Sequence, residues 1–353
     1  MNKYFIILTM LCVTSVLNAQ SLEDLESLYG QGKFNEVIDN SANMLANEPD
    51  DPIINMLVGR SYADKMNFEE AIPYLRKAIE SDRTNSWPKA WSLVYLGSCY
   101  FAIGNREESI KYIKECISMN ATKNVTNSAL IKNVLFGFDQ SYNNWEARET
   151  EHFVFHFQPL SLKDINDIDK YIKIREMAFM HISEFFVSNL PKKIDFFIWH
   201  SREDIKAVLK SNGGFAKPEY CIIHACFDQT PGHEITHVVS NYTATVINKT
   251  VLINEGTAVY FDQTSRDQLA LARKAIKEKG YSSISLKEIW NNRVMPEAVM
   301  YPIGGAFVKY LIDTEGKDKY LELFKDQTYQ NGHKIYGDKF EKIVSEFENS
   351  LFQ

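Results

Sequence analysis

The chain has few cysteines and no surplus of positive charge. It contains five cysteines in 353 residues, and 39 basic side chains against 46 acidic ones give a formal net charge of −7. So few cysteines exclude a scaffold built on disulfides. The lack of a basic domain or stripe argues against a nucleic-acid partner. The remaining composition, 45% hydrophobic and 24% charged, is that of an ordinary globular protein.

Long apolar runs are also lacking, apart from a short one at the amino terminus. Residues 4–13 are almost wholly apolar, follow the positively charged Lys3, and precede a small residue, Ala19. This layout predicts a secretory signal peptide over residues 1–19 and an exported protein, periplasmic or extracellular. The run is shorter than the roughly 20 residues that cross a bilayer, so we expect no membrane span. A buried N-terminal helix is the alternative.

The predicted mature chain keeps four cysteines: Cys99, Cys116, Cys221 and Cys226. Residues five apart on a regular strand point to opposite faces, so a bridge between the last two would need a turn between them. We expect all four to be small buried side chains.

Residues 20–120 contain an internal repeat. The segment 67–72 recurs at 105–110 and, more weakly, at 33–38. A period near 34 residues is typical of a helix–turn–helix array that buries its core by stacking.

The repeat resembles the tetratricopeptide repeat. Gly59 and Gly97 occupy the small position of a first helix, and Leu75 and Ile113 occupy the large position of a second helix. We predict two good repeats, one degenerate capping repeat, and a linker with a sealing helix over residues 121–147. The resemblance implies either a surface that binds a peptide or protein partner, or a helical support for the domain that follows.

Residues 148–353 have the pattern of an α+β domain. Residues 153–157 alternate phenylalanine with other side chains, as in a half-buried strand, and residues 194–199 form a second strand. Residues 219–227 predict a third strand. Its edge could pair with an extended peptide, or it could be an ordinary internal strand.

The sequence His-Glu-Ile-Thr-His at residues 233–237 is the strongest chemical signal. Thr230 predicts an N-cap and Pro231 a first helical position. Such a helix places His233 and His237 one turn apart, where both imidazoles reach one zinc ion. Glu234 is then close enough to act on a water molecule without binding the metal.

A third ligand follows on a second predicted helix. Glu255 lies eighteen residues after His237, within Asn254-Glu255-Gly256. Two histidines and one carboxylate, with one position left open, form a catalytic rather than a structural zinc site. We therefore predict one Zn²⁺ per chain. A buried helix with two hydrogen-bonded histidines is the alternative, and His224 beside Cys221 and Cys226 is a weaker metal candidate.

These motifs resemble the gluzincins, the zinc peptidases that include the thermolysin-like and aminopeptidase N types. The resemblance covers residues 148–325 and includes a helix led by Tyr301. It implies an α+β peptidase domain in which Glu234 is the general base and Tyr301 stabilises the oxyanion. Tyr301 could instead be a core or rim tyrosine. The Gly-x-Met-Glu-Asn motif of the aminopeptidases is absent, which favours an endopeptidase.

Together these features predict a multidomain protein, with all-α tetratricopeptide-like repeats followed by a gluzincin-like domain over residues 148–353. The leading functional prediction is a zinc peptidase. One alternative is a catalytically inactive scaffold whose repeats bind a protein partner. Another is a zinc hydrolase that acts on a non-peptide amide.

Overall fold

A computed structural model describes residues 21–243 and 246–353. The predicted signal peptide, residues 1–19, lies outside the described residues. The chain forms two compact units. The first comprises the described residues up to Cys99 together with residues 111–129, and the second comprises residues 100–110 and 130–353. None of the helices in the described ranges has the length and apolar character needed to cross a bilayer.

The N-terminal region is helical. Its helices are α1 (Leu22–Gly30), α2 (Phe34–Asn47), α3 (Pro52–Asp64), α4 (Phe68–Ser81), α5 (Trp87–Ala102), α6 (Arg106–Met119) and α7 (Lys123–Leu135). Side-chain N-caps mark where two of these helices begin. The Ser21 side chain and Asp24 form a capping box at α1, and Asp51 accepts two backbone N–H groups at α3.

Two glycines allow the helices of each pair to approach closely. A methyl group built on Gly59 of α3 would lie 2.7 Å from Leu75 Cγ of α4. One built on Gly97 of α5 would lie 2.8 Å from Ile113 Cγ1 of α6. A small residue therefore meets a large one at the equivalent position of both pairs, as the resemblance to the tetratricopeptide repeat predicts.

Gly59→Ala is expected to destabilise the first unit by about 1–3 kcal/mol, because the added methyl overpacks the contact with Leu75. Gly30→Ala is the control, since nothing lies within 4 Å of a methyl group at that position. Urea unfolding followed by circular dichroism measures both. Equal stability of the two variants would contradict the packing account.

The latter part of the chain combines helices with a small mixed sheet. Its strands are β1 (Glu146–Glu149), β2 (Phe153–Phe157), β3 (Ile194–Trp199), β4 (Phe215–Lys217) and β5 (Ile222–Cys226). Its helices are α8 (Pro159–Asp164), α9 (Ile168–Phe186), α10 (Arg202–Leu209), α11 (His233–Ser240), α12 (Val251–Tyr260), α13 (Gln268–Lys279), α14 (Leu286–Ile289), α15 (Glu297–Glu315), α16 (Lys317–Lys325), α17 (Tyr329–Tyr336) and α18 (Phe340–Ser350).

The strand order is β1-β2-β3-β5-β4. β2, β3 and β5 are parallel, and the outer strands β1 and β4 are antiparallel to their neighbours. The predicted strands at 153–157 and 194–199 are confirmed. The prediction of a peptide-pairing edge at residues 219–227 is wrong, because β5 lies between β3 and β4 and both its edges are paired.

The two faces of the sheet carry different residues. Phe153, Phe155 and Phe157 are fully buried in the large core formed with α9, α11, α12 and α15. Phe197 and Trp199 point to the opposite face and pack with Phe101 and Phe136. Successive strand residues alternate between the faces, so only one face supports the helices that carry the predicted metal ligands.

Cys99, Cys116, Cys221 and Cys226 are free and buried. The prediction of small buried side chains is confirmed for all four. Burial raises the pKa of the Cys226 thiol to about 11, which makes it a poor nucleophile at neutral pH.

Candidate metal centre

The two histidines of the motif lie one turn apart on α11. Their ring centroids are 5.1 Å apart, and the planes of the rings are almost perpendicular. Glu234, between them in sequence, is buried with 8% of its surface exposed.

The start of α11 differs from the prediction. The helix begins at His233 with Gly232 as its N-cap, and Thr230 makes no cap. Gly232 is held against the end of α12: its N–H donates to Asp262 O at 3.2 Å, and a methyl group there would lie 1.8 Å from Phe261 O. Glycine is required at this N-cap position because a side chain does not fit against the Phe261 backbone.

Glu255 on α12 completes the cluster. Its Oε2 lies 3.6 Å from the Nε2 atom of His233 and 3.6 Å from that of His237. Within the described ranges, these three residues are the one group of histidine, cysteine or acidic side chains whose donor atoms converge as metal ligands do, all within 4.8 Å of one another.

The donors fit a zinc ion. Zinc bonds of about 2.0–2.1 Å in a tetrahedral site place neighbouring ligand atoms about 3.4 Å apart, close to the separations seen here. Two imidazole nitrogens and one carboxylate oxygen are also the donor set of catalytic zinc sites. The ligands would be His233, His237 and Glu255, and Glu234 is outside this set.

Glycines bring α12 to this position. A methyl group on Gly256 would lie 2.6 Å from the backbone of Gly304 on α15, so the two helices are in direct backbone contact. The Glu-Gly pair therefore has two roles, because Glu255 supplies a donor while Gly256 lets its helix pack closely enough to place it.

The charges within the cluster stabilise one another. Burial alone would raise the pKa of Glu255, but the imidazoles of His233 and His237, each 3.6 Å from its Oε2, hold it well below its usual range. Burial would lower the pKa of His233, but Glu255 and Glu234 outweigh this effect and raise it. Glu255 is therefore a carboxylate at neutral pH, which is the form that binds a metal.

Asn254 orients the second histidine. Its side-chain amide nitrogen lies 3.4 Å from His237 Nδ1. Because Nδ1 faces this amide, Nε2 is the nitrogen directed at Glu255. A histidine that binds a metal through Nε2 donates its Nδ1–H, so with zinc bound the Asn254 amide would turn its oxygen to Nδ1 as the acceptor.

Tyr301 lies beside His233, and Arg293 lies beside Glu255. The Tyr301 ring is nearly parallel to that of His233, with centroids 6.0 Å apart. Arg293 interacts electrostatically with Tyr301, and its Nη2 is 3.5 Å from Glu255 Oε1. Burial, with the nearby Glu255 and Glu297, raises the pKa of Tyr301, so the phenol remains protonated and able to donate.

Arg293 was not predicted. It lies in the segment between α14 and α15, outside every motif, and no spacing links it to Glu255. Its Nη1 also lies 2.6 Å from Glu297 Oε1, at the start of α15. Only the folded chain places this guanidinium beside both a metal ligand and Tyr301.

The cluster opens into a large cleft of about 1000 Å³. Its walls include Glu234 and Tyr301, and β4 contributes Phe215 and Ala216. The cleft is therefore bordered by the outermost strand of the sheet, which presents one unpaired edge.

His224 has a structural role. Its Nδ1 accepts a hydrogen bond from Trp199 Nε1 at 3.1 Å, and its Nε2 lies 3.0 Å from Leu135 O. Burial lowers its pKa to about 3, so it is neutral. Both ring nitrogens have partners, so this histidine does not form a second metal site with Cys221 and Cys226.

Comparison with known families identifies the N-terminal region. Residues 54–85 and 92–123 match the family model of the tetratricopeptide repeat. The chain contains tetratricopeptide repeats. The two matches cover the α3–α4 and α5–α6 pairs, in which Gly59 and Gly97 make the close contacts. A search of curated proteins gave no significant match to this chain.

The first helices of successive tetratricopeptide repeats share an aromatic face. The Arg60 guanidinium of α3 lies 4.3–4.8 Å from the ring centroids of Tyr29, Trp91 and Tyr95, which come from α1 and α5. Its Nε atom is buried without a hydrogen-bond partner. Tyrosine, tryptophan and arginine are the residues that most often dominate protein interfaces.

Proposed function

We propose that this protein is a zinc-dependent peptidase of the gluzincin type. The proposal depends on one observation: two imidazole nitrogens and a carboxylate oxygen converge at zinc-ligand separations, on the wall of a large cleft and next in sequence to a buried glutamate. Digestion of peptides by the zinc-loaded chain, compared with a chain lacking Glu234, tests it.

The residues divide the chemistry among them. Zinc held by His233, His237 and Glu255 would lower the pKa of a water molecule and polarise the scissile carbonyl. Glu234 takes the proton from the attacking water and delivers it to the leaving amine as the C–N bond breaks. The general base must be a separate group from the ligands, and Glu234 meets this requirement.

Tyr301 supplies a second stabilising contact. Its protonated hydroxyl donates a hydrogen bond to the carbonyl oxygen as negative charge develops there. Arg293 interacts with the phenol, which it would help to orient, and contacts Glu255 at the same time. It is a positioning residue, because it acts through Tyr301 and the metal ligand.

Tyr301→Phe is expected to lower kcat by about 10²–10³, the usual effect of removing one oxyanion donor, with little change in KM. Zinc content should be unchanged, since Tyr301 is not a ligand. The matched control is Tyr310→Phe. Tyr310 lies on α15, as Tyr301 does, and its hydroxyl donates to Glu346 rather than facing the cluster. If both variants retain wild-type kcat, Tyr301 is not the donor.

The substrate class is an extended polypeptide. The exposed edge of β4 borders the cleft, and a substrate strand pairing with residues 215–217 would be held through its backbone, largely independently of its sequence. Together with the missing aminopeptidase motif, this edge favours an endopeptidase. The layout of residues 1–19 further supports export, to the periplasm or the cell exterior.

A second candidate function is a protein-binding scaffold. Tetratricopeptide repeats indicate interaction with a protein partner, and the cluster of Arg60 with three aromatic rings offers a surface of suitable chemistry. In an active enzyme the repeats would recruit substrates or partners. If the chain has no catalytic activity, binding of a protein partner by the repeats would be its function.

A further inference from the structure

A second pocket lies in the second unit, away from the cleft. Its volume is about 390 Å³, within the range of small-molecule sites. We call it the basic pocket. It is lined chiefly by Phe101, Arg106, Val154, His156, Lys192 and Asp195.

The basic pocket lies on the sheet face opposite the candidate zinc site. Ile194 and Phe196 of β3 enter the core that contains α11 and α12, whereas Asp195 between them points the other way. No residue lines both the cleft and the basic pocket. A ligand here would therefore not touch the peptidase centre.

The charges of the basic pocket do not balance. Lys192 Nζ lies 2.6 Å from Asp195 Oδ2, and the nearby Lys193 Nζ lies 2.7 Å from Glu149 Oε1. His156 Nε2 occupies the other Asp195 oxygen at 2.9 Å. Each lysine thus has a carboxylate at short range, and the guanidinium of Arg106 remains as the excess positive charge.

Two backbone carbonyl groups hold the Arg106 side chain, but none of the carboxylates in the described ranges lies within hydrogen-bond distance of its guanidinium. It donates to the carbonyl oxygens of Phe136 and Gly137 at 3.3 Å and 3.2 Å, and its nearest approach to Asp195 is 4.0 Å. Guanidinium has five N–H donors in a rigid fork, so donors remain for a ligand. Beside it, Val154 supplies an apolar wall, whereas the Phe101 ring is already covered by the stacked Phe136 ring, at a centroid distance of 4.1 Å, and by Lys192 Nζ, 3.8 Å from its centroid.

We propose that the basic pocket binds a small organic acid. The carboxylate would face Arg106, which matches it in charge and geometry, and the apolar part of the acid would lie against Val154. The combination of a guanidinium only weakly paired with Asp195, at 4.0 Å, and an apolar wall favours this class over a bare inorganic anion.

Isothermal titration of the full mature chain with benzoate tests the proposal, with neutral benzamide as the matched probe. Arg106→Gln should weaken benzoate binding by about tenfold or more, the usual effect of losing a hydrogen bond to a charged group. Arg106→Lys, which keeps the charge, should retain part of the affinity. Lys309→Gln, an exposed lysine paired with Asp313 on α15, should leave binding unchanged.

Carboxylates also bind zinc, so the titration is repeated on His237→Ala. The proposal predicts one benzoate site that survives this change and depends on Arg106. Binding that is lost with His237 but insensitive to Arg106→Gln would overturn it, as would equal affinity for benzamide or no binding up to about 10 mM. Thermal unfolding of each variant shows that it remains folded. If Arg106→Gln does not fold, Arg106→Lys replaces it, and wild-type affinity for benzoate in that variant would overturn the proposal.

Discussion

Glu234→Gln is expected to retain zinc while losing most of its hydrolytic activity. Glu234 lies on the helix that carries both histidines but outside the set of converging donors. Glutamine keeps the shape of the side chain in its buried position but cannot accept the proton of the attacking water. The expected fall in kcat is about 10²–10⁴, the usual contribution of a positioned general base.

The control for this experiment is Glu278→Gln, the same substitution at an exposed position on α13. Metal analysis and peptide hydrolysis are measured on both variants. If Glu234→Gln cleaves peptides as fast as wild type, Glu234 is not the general base, whatever the zinc content. If it loses zinc as well, its role is in holding the site together.

His237→Ala is expected to lose stoichiometric zinc, and with it all hydrolysis above background. A catalytic zinc site has three protein ligands, and His237→Ala leaves only two of them, His233 and Glu255. Elemental analysis after dialysis against buffer with trace zinc measures the effect.

His333→Ala provides the comparison for the metal analysis. His333 is half-exposed on α17 and pairs with Glu341, away from the three converging donors. Its replacement should leave one zinc per chain. Unchanged zinc in His237→Ala would show that the metal is bound elsewhere and would remove the basis of the proposed mechanism.

Local spacing made much of the site predictable. Residues four apart on a helix share a face, so His233 and His237 follow from the sequence alone. The two glycine positions of the repeats follow from the resemblance to the tetratricopeptide repeat, in which a small residue of the first helix meets a large one of the second, as Gly59 meets Leu75. In both cases a short-range rule determines which side chains meet.

Features that depend on long-range packing were not predictable. The edge strand is β4 rather than residues 219–227, because strand order is set by pairings between distant segments. Gly232, rather than Thr230, is the N-cap of α11, at a position where the backbone of Phe261 leaves no room for a side chain. Arg293 reaches Glu255 from a segment without a motif.

The most direct test of the central claim is digestion of a broad peptide library by the wild-type mature chain, once elemental analysis has shown one zinc per chain. The account predicts cleavage at internal peptide bonds, abolished by a zinc chelator and restored by added zinc. A folded, fully zinc-loaded chain that cleaves no peptide would contradict it and would favour a scaffold whose tetratricopeptide repeats bind a protein partner.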